Sequence, residues 1–391
     1  LALMMAVGPF GDTEYTPAMP AISHSLHAGY GMVQLTMTSY LFGSAVSRLL
    51  YGPLSDRIGR RPVMLSGAAI LLLGAVVCLL SFNVWTLIGG RLVQGIGACA
   101  GGVIADAVVR DAFAADRRQS IYARINAAFA LAPAVGPIAG IYAVEWVGWH
   151  GNFGLLVLLS ALLVAVVWLF LPETKPNRDR DALQPGTLRR HVFEVLSTPD
   201  FVLYAVLGGL CVGVVYTALI GAPDLVLTIL GRGNFAIMIV SVVILTAFVT
   251  GAGMSALFSS RVSPDVFIGA GLAVLLVASA GLMLVALLIG KQGTLANYLT
   301  PIGACFVGVG LVVPVSTARA MAPFDENTGM ASSLLGSIQM GVAALGTLGM
   351  GLLHQGAGED IPIVFLALAG MAGLLFMGHL AWRGLSALRA A

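Results

Sequence analysis

Charge is what this sequence has least of: Asp, Glu, Lys and Arg make up 10% of its 391 residues, where a soluble globular domain carries about 25%. With 58% hydrophobic residues beside so little charge, the chain cannot cover a water-facing surface. Its solvent is lipid, in which helices must satisfy their own backbone hydrogen bonds. The net charge of +2 is too small to suggest a nucleic-acid partner. The six histidines form no cluster, so no metal site is expected. The four cysteines, Cys78, Cys99, Cys211 and Cys305, each lie in an apolar stretch and form no CxxC. They read as small buried side chains, not as disulfides or metal ligands. No Walker loop or dinucleotide fingerprint is present, which argues against ATP-driven work and against a cofactor. No nucleophile–base pair marks an enzyme. There is no cleavable leader either: Leu1 already begins an apolar segment, and a short polar N-terminal tail is expected ahead of it.

What the chain has in abundance is glycine, 49 residues, as where membrane helices pack backbone to backbone. Segments near 1–22, 32–52, 63–81, 86–109, 119–144, 150–171, 200–222, 235–258, 264–289, 296–320, 328–353 and 361–382 are apolar over a spanning length. That predicts an all-α membrane protein of about twelve transmembrane helices. The one long polar interval, 172–199, divides it into two six-helix halves, 1–171 and 200–391. This is a standard transporter plan.

Basic residues set the orientation. With both termini in the cytoplasm, the inside loops hold Arg57, Arg60, Arg61, Arg110, Arg117, Arg118, Lys175, Arg178, Arg180, Arg189, Arg190, Arg261, Arg319, Arg383 and Arg389. The outside loops keep Arg232 and Lys291. The interval 172–199 is then a cytoplasmic linker.

Between the second and third spans runs Gly52-Pro53-Leu54-Ser55-Asp56-Arg57-Ile58-Gly59-Arg60-Arg61-Pro62. Gly52 allows close helix approach, and Gly59 permits a tight turn. Asp56, at a helix end, can pair with a nearby Arg or with the positive end of another helix. The fourth span holds Arg91-Leu92-Val93-Gln94-Gly95. An Arg inside a span is costly and faces a polar cavity; the other reading has it snorkelling to the outer surface. The fifth span holds Pro133, Gly136, Pro137 and Gly140. Its small residues recur at i, i+4 and make a smooth face, and each proline removes a backbone donor and bends the helix.

The first span carries Asp12 and Glu14 in Gly11-Asp12-Thr13-Glu14-Tyr15-Thr16-Pro17-Ala18-Met19-Pro20. A carboxyl group in an apolar span is by default a functional site. Desolvated, it takes up and releases protons near neutral pH. On a regular helix the two acids point about 200° apart, so which of them carries the proton stays open, and one could be solvated at the outer mouth. Asp106 and Arg124 are read as an intramembrane ion pair. Asn126, Gln339 and Tyr15 are candidates to line the cavity.

These motifs resemble those of the major facilitator superfamily: the G-x-x-x-D-R-x-G-R-R loop, the R-x-x-Q-G motif and the antiporter motif G-P-x-x-G. The first span resembles the D-x-Y-x-P-x-x-P stretch of the bicyclomycin/chloramphenicol (Bcr/CflA) drug:proton antiporters, with Thr13 standing where that branch has its acid. The resemblance implies a loop that latches helices and a gate at Pro133–Gly140. It also implies proton-coupled export of amphipathic small molecules or drugs by alternating access. The expected partners are a small-molecule substrate, protons and the lipid bilayer. The expected form is a monomer in the bacterial inner membrane. The alternative is a dedicated exporter of one endogenous metabolite, such as a carboxylate siderophore.

Overall fold

Long apolar segments have one local way to satisfy their backbone in lipid. The computed structural model takes it, and every described element is helical. It describes residues 1–175, 183–324, 328–354 and 358–390, without the side chains of 115, 116, 119, 122, 123, 126–130, 134, 185, 187, 291, 328 and 384–390. The elements are α1 (Ala2–Thr13), α2 (Met19–Ser25), α3 (Tyr30–Ile58), α4 (Arg60–Leu79), α5 (Val84–Ala112), α6 (Ala115–Val147) and α7 (His150–Phe170). After α8 (Pro185–Leu196) come α9 (Pro199–Pro223), α10 (Asn234–Phe258), α11 (Pro264–Leu288), α12 (Leu295–Met321), α13 (Thr328–Leu353) and α14 (Asp360–Ala390). With α1 and α2 as one interrupted span and α8 set aside, this is a twelve-helix membrane fold. Among the described residues, nine helices are long and apolar enough to cross a membrane by themselves.

The first span departs from the uninterrupted segment expected over 1–22. Pro17 has no N–H to give to the carbonyl of Thr13, so the α-helical ladder stops there. The Thr16 hydroxyl donates to that carbonyl instead, at 3.0 Å. A 3-10 turn, Thr16–Ala18, then leads into α2. Glu14 and Tyr15 sit in the interruption.

Two compact units emerge: Leu1–Ser197 with Glu326–Ala344, and Thr198–Asp325 with Leu345–Ala391. In the first, α5 is the central post. A Cβ at Gly95 would meet the Tyr40 carbonyl of α3 at 2.0 Å, one at Gly97 the Leu71 amide of α4 at 2.2 Å, and one at Gly101 the Met4 carbonyl of α1 at 2.0 Å. Three glycines thus seat three neighbours at backbone contact, as packing inside lipid favours. In the second unit, Gly251 and Gly310 do the same between α10 and α12, and Gly271 and Gly308 between α11 and α12. All four cysteines are free and buried, as expected.

Candidate functional site

The interruption of the first span puts two acids inside the first unit. Asp12 is 7% exposed and Glu14 is 0% exposed. The reading that left one acid solvated at the outer mouth is therefore overturned. The separation of about 200° holds: Glu14 keeps helical angles (φ −64°, ψ −31°), and its N–H donates to the Phe10 carbonyl at 2.9 Å. Neither oxygen of the Glu14 carboxyl meets a donor at hydrogen-bond geometry among the described residues, though the Asn152 amide is near enough to act on it. The main-chain oxygen of Glu14 accepts from Asn152 Nδ2 of α7 at 2.6 Å.

Arg91 is also 0% exposed, which excludes the snorkelling alternative. Nη1 donates to Gln94 Oε1 and to the Gly11 carbonyl (3.4 Å). Nη2 reaches Met37 Sδ at 3.6 Å. The guanidinium lies over the rings of Tyr15 and Tyr40, at 4.5 and 4.3 Å from their centroids. Such contacts are worth about 2 kcal/mol or more when desolvated. The Tyr15 hydroxyl shares a 2.6 Å hydrogen bond with Thr36 Oγ1, and its ring packs on Phe153 at 5.5 Å. Arg91 acts electrostatically on Glu14, with no direct ion pair between them among the described residues.

Several polar atoms in this interior have no protein partner among the described residues: both amide atoms of Gln34, Asn152 Oδ1, Gln94 Nε2 and Arg91 Nε. Gln34 stands one turn before Met37 on the same face of α3. Buried polar atoms are normally paired, so a cluster of unpaired ones can receive a proton or a polar ligand.

The fifth span touches this place. A Cβ at Gly136 would fall 2.1 Å from Thr13 Oγ1, and one at Gly140 would fall 2.0 Å from the Glu14 carbonyl. The glycines expected to make a smooth face therefore do so directly against the interrupted span. Pro137 is buried and Pro133 half-buried on the same helix.

The loop after α3 forms a second polar group. Gly59, at φ 108°, ends α3 and starts α4. Arg60 donates to Asp111 Oδ2 (2.8 Å) and Ser55 Oγ (2.5 Å), and pairs with Asp56 (2.9 Å). Lys175 also pairs with Asp56. The Glu173 carboxylate accepts the backbone N–H groups of Arg60 (2.9 Å) and Arg61 (3.3 Å), so it caps α4. Burial works against its charge. The backbone N–H groups of Lys175, Arg60, Arg61 and Thr174 outweigh that and hold the carboxyl below its ordinary range. Arg61 reaches the Trp168 carbonyl at 2.6 Å, and Arg57 is exposed. At Gly52 a Cβ would stand 3.3 Å from Ser333 Oγ of α13.

The family profile described as Major Facilitator Superfamily matches residues 1–347. The chain belongs to this superfamily. It is 30% identical over 365 residues to multidrug resistance protein D of Escherichia coli, covering 92% of this chain and 89% of that one. It is 29% identical over 360 residues to a bicyclomycin resistance protein homolog of Haemophilus influenzae, covering 88% and 86%. Its fold is similar to that of the xylose transporter XylE from E. coli, solved in a partially occluded inward open conformation, with a TM-score of 0.75, 12% identity and coverage of 96% and 95%. This facilitator is thus a multi-pass membrane transporter, and the similarity to the Bcr/CflA branch stands.

Other expected residues of the facilitator lie elsewhere. The Asn126 side chain is outside the described residues. Gln339, in α13, is half-buried with its Nε2 unpartnered among the described residues. Arg110 and Arg48 act electrostatically on half-buried Asp106, and Arg124 is exposed. Asn152, Tyr40 and Glu173 join the two groups without any local motif to announce them.

Proposed function

We propose that this facilitator exports amphipathic small molecules or drugs across the bacterial inner membrane in exchange for protons. It works by alternating access of the halves 1–171 and 200–391, with 172–199 as a cytoplasmic linker, both termini cytoplasmic and the monomer as the working form. The observation that carries the reading is the Glu14 carboxyl: fully buried, meeting no donor at hydrogen-bond geometry among the described residues and within the field of buried Arg91. A lone buried carboxylate is costly unless paired or protonated, so movement of such a group between environments drives proton uptake and release. In this reading Glu14 is the main carrier, Asp12 assists it, Arg91 sets its charge state, and Tyr15, Asn126 and Gln339 line the substrate path. Pro133, Gly136, Pro137 and Gly140 form the gate. The resistance proteins it resembles support drugs as the substrate class. The alternative of a carboxylate siderophore has no observation in its favour, since Arg91 is already held by two rings, an amide, a carbonyl and a thioether.

The test is efflux from proteoliposomes under an imposed pH gradient, against a panel of lipophilic compounds. Glu14→Gln abolishes gradient-driven transport while Asp12→Asn retains part of it. Full pH-driven transport by the Glu14→Gln, Asp12→Asn double variant sinks the mechanism.

A further inference from the structure

The second unit contains a titratable cluster unconnected with any motif. The helix α9 ends at Pro223 and widens into a π turn, Asp224–Ile229. Such turns are rare and occur often at functional sites. Asp224 opens the turn and is 5% exposed. The helix α13 stops at Leu353, with His354 just beyond it. Asp360 is the first residue of α14 and is also 5% exposed.

These three side chains meet. His354 Nδ1 lies 2.6 Å from Asp360 Oδ2, and Nε2 lies 3.9 Å from Asp224 Oδ2. The His354 side chain is 11% exposed. The backbone around them is tightly seated. Gly358, at φ 78°, brings the α13–α14 turn against the π turn, where a Cβ would stand 2.8 Å from Ile229 Cδ1. At Gly221 of α9 a Cβ would stand 2.6 Å from Ile361 Cγ1 of α14.

The chemistry follows from how many N–H groups an imidazole has. A neutral ring has one. If Nδ1–H serves Asp360, the Nε2 lone pair faces the carboxylate of Asp224. A proton added to that lone pair turns Nε2 into a donor and places one positive charge between two negative ones. Two nearly buried carboxylates around an uncharged ring are much less favourable. Asp360 has further support, since its Oδ1 accepts the Ile361 N–H at 3.1 Å at the start of α14, where the helix dipole favours an anion.

We propose that Asp224, His354 and Asp360 form a second proton-binding site, within the second unit, whose occupancy ties the π turn after α9 to the turn between α13 and α14. The proton comes from water and sits on Nε2, and no other bond changes. The helix α13 carries no charged residue, and the adjoining turns of α9 and α14 contribute only Asp224 and Asp360. Arg232, after the π turn, and Glu359, before α14, are exposed and screened by solvent and salt. The hydrogen bond to Asp360 raises His354, burial lowers it, and the charges of Asp360 and Asp224 raise it again; the net is above the ordinary histidine range. The site holds its proton while the turns stay together and releases it when they part. This holds whether or not Glu14 couples transport to protons.

The test uses the full chain in lipid nanodiscs, with 15N-histidine NMR across pH. The His354 signal is assigned by its loss in His354→Gln. Free N-acetylhistidine amide in the same buffer is the reference. His354 is expected to titrate above this reference. Asp360→Asn and, separately, Asp224→Asn move it back toward the reference. If His354 in the unaltered chain titrates together with the reference, the proposal is wrong, whatever the variants do. It is also wrong if Asp360→Asn and Asp224→Asn both leave a raised value in place.

Discussion

The Cβ that Gly140 lacks would stand 2.0 Å from the main-chain oxygen of Glu14. The same oxygen takes the hydrogen bond from Asn152. The fifth and sixth spans therefore meet at the residue where the first span is interrupted. Gly140→Ala is expected to push these helices apart and cost about 1–3 kcal/mol of stability. Transport falls by a larger factor than the amount of folded protein. Folded yield by size-exclusion profile, compared with efflux per folded molecule, separates the two effects. Equal losses in both would make Gly140 a packing residue alone.

Arg91 is held by ring faces as much as by hydrogen bonds. Arg91→Lys keeps the charge but loses the planar fork that stacks on Tyr15 and Tyr40 and reaches Gln94. It is expected to reduce efflux at least about tenfold, equivalent to ~1.4 kcal/mol, with near-normal folding. Tyr40→Leu weakens the same cation–π contact and moves transport the same way. Wild-type rates in Arg91→Lys would show that only the charge is needed.

The pair Arg60–Asp111, at 2.8 Å, joins the start of α4 to the end of α5. Arg60→Ala leaves Asp111 and Asp56 without this partner and costs about 1–3 kcal/mol. A double-mutant cycle with Asp111→Ala, read by thermal unfolding in detergent, is expected to give a coupling of at least about 0.5 kcal/mol. Additive effects would remove the pair from the set of contacts that hold this loop.

Glu173 binds the loop through its charge. Its carboxyl is lower in the folded protein than in the unfolded chain. A lowered carboxyl contributes stability that is complete above its unfolded value and is lost as pH falls through the folded value. The melting temperature should therefore drop on acidification more steeply in the unaltered chain than in Glu173→Gln. The two curves converge at low pH. Parallel curves would show that the cap of α4 does not depend on the charge.

Much of the fold was readable from the residues, because membrane insertion is a local condition: length and lack of charge mark a span wherever it sits. The loop glycine and its arginines were readable for the same reason. The exact surroundings of the acids were not. The helix read through Asp12 and Glu14 is kept in the structure, but the groups that close over those acids are not written locally. Their surroundings depend on where α6 and α7 pack against this span. Asn152 lies 138 positions from Glu14, and Glu173 lies 113 positions from Arg60. No local pattern joins partners at that separation. Arg48, on α3, also acts on Asp106 from 58 positions away, and no local pattern announces it.

The three glycines of α5 have a mechanical consequence. A helix in backbone contact with α1, α3 and α4 has no slack in any of those directions, so it cannot swing alone. In the proposed exchange mechanism, a motion that turns Glu14 toward the other side of the bilayer carries these four helices as one block. The bending has to be done elsewhere, at the interrupted first span and at the prolines of α6.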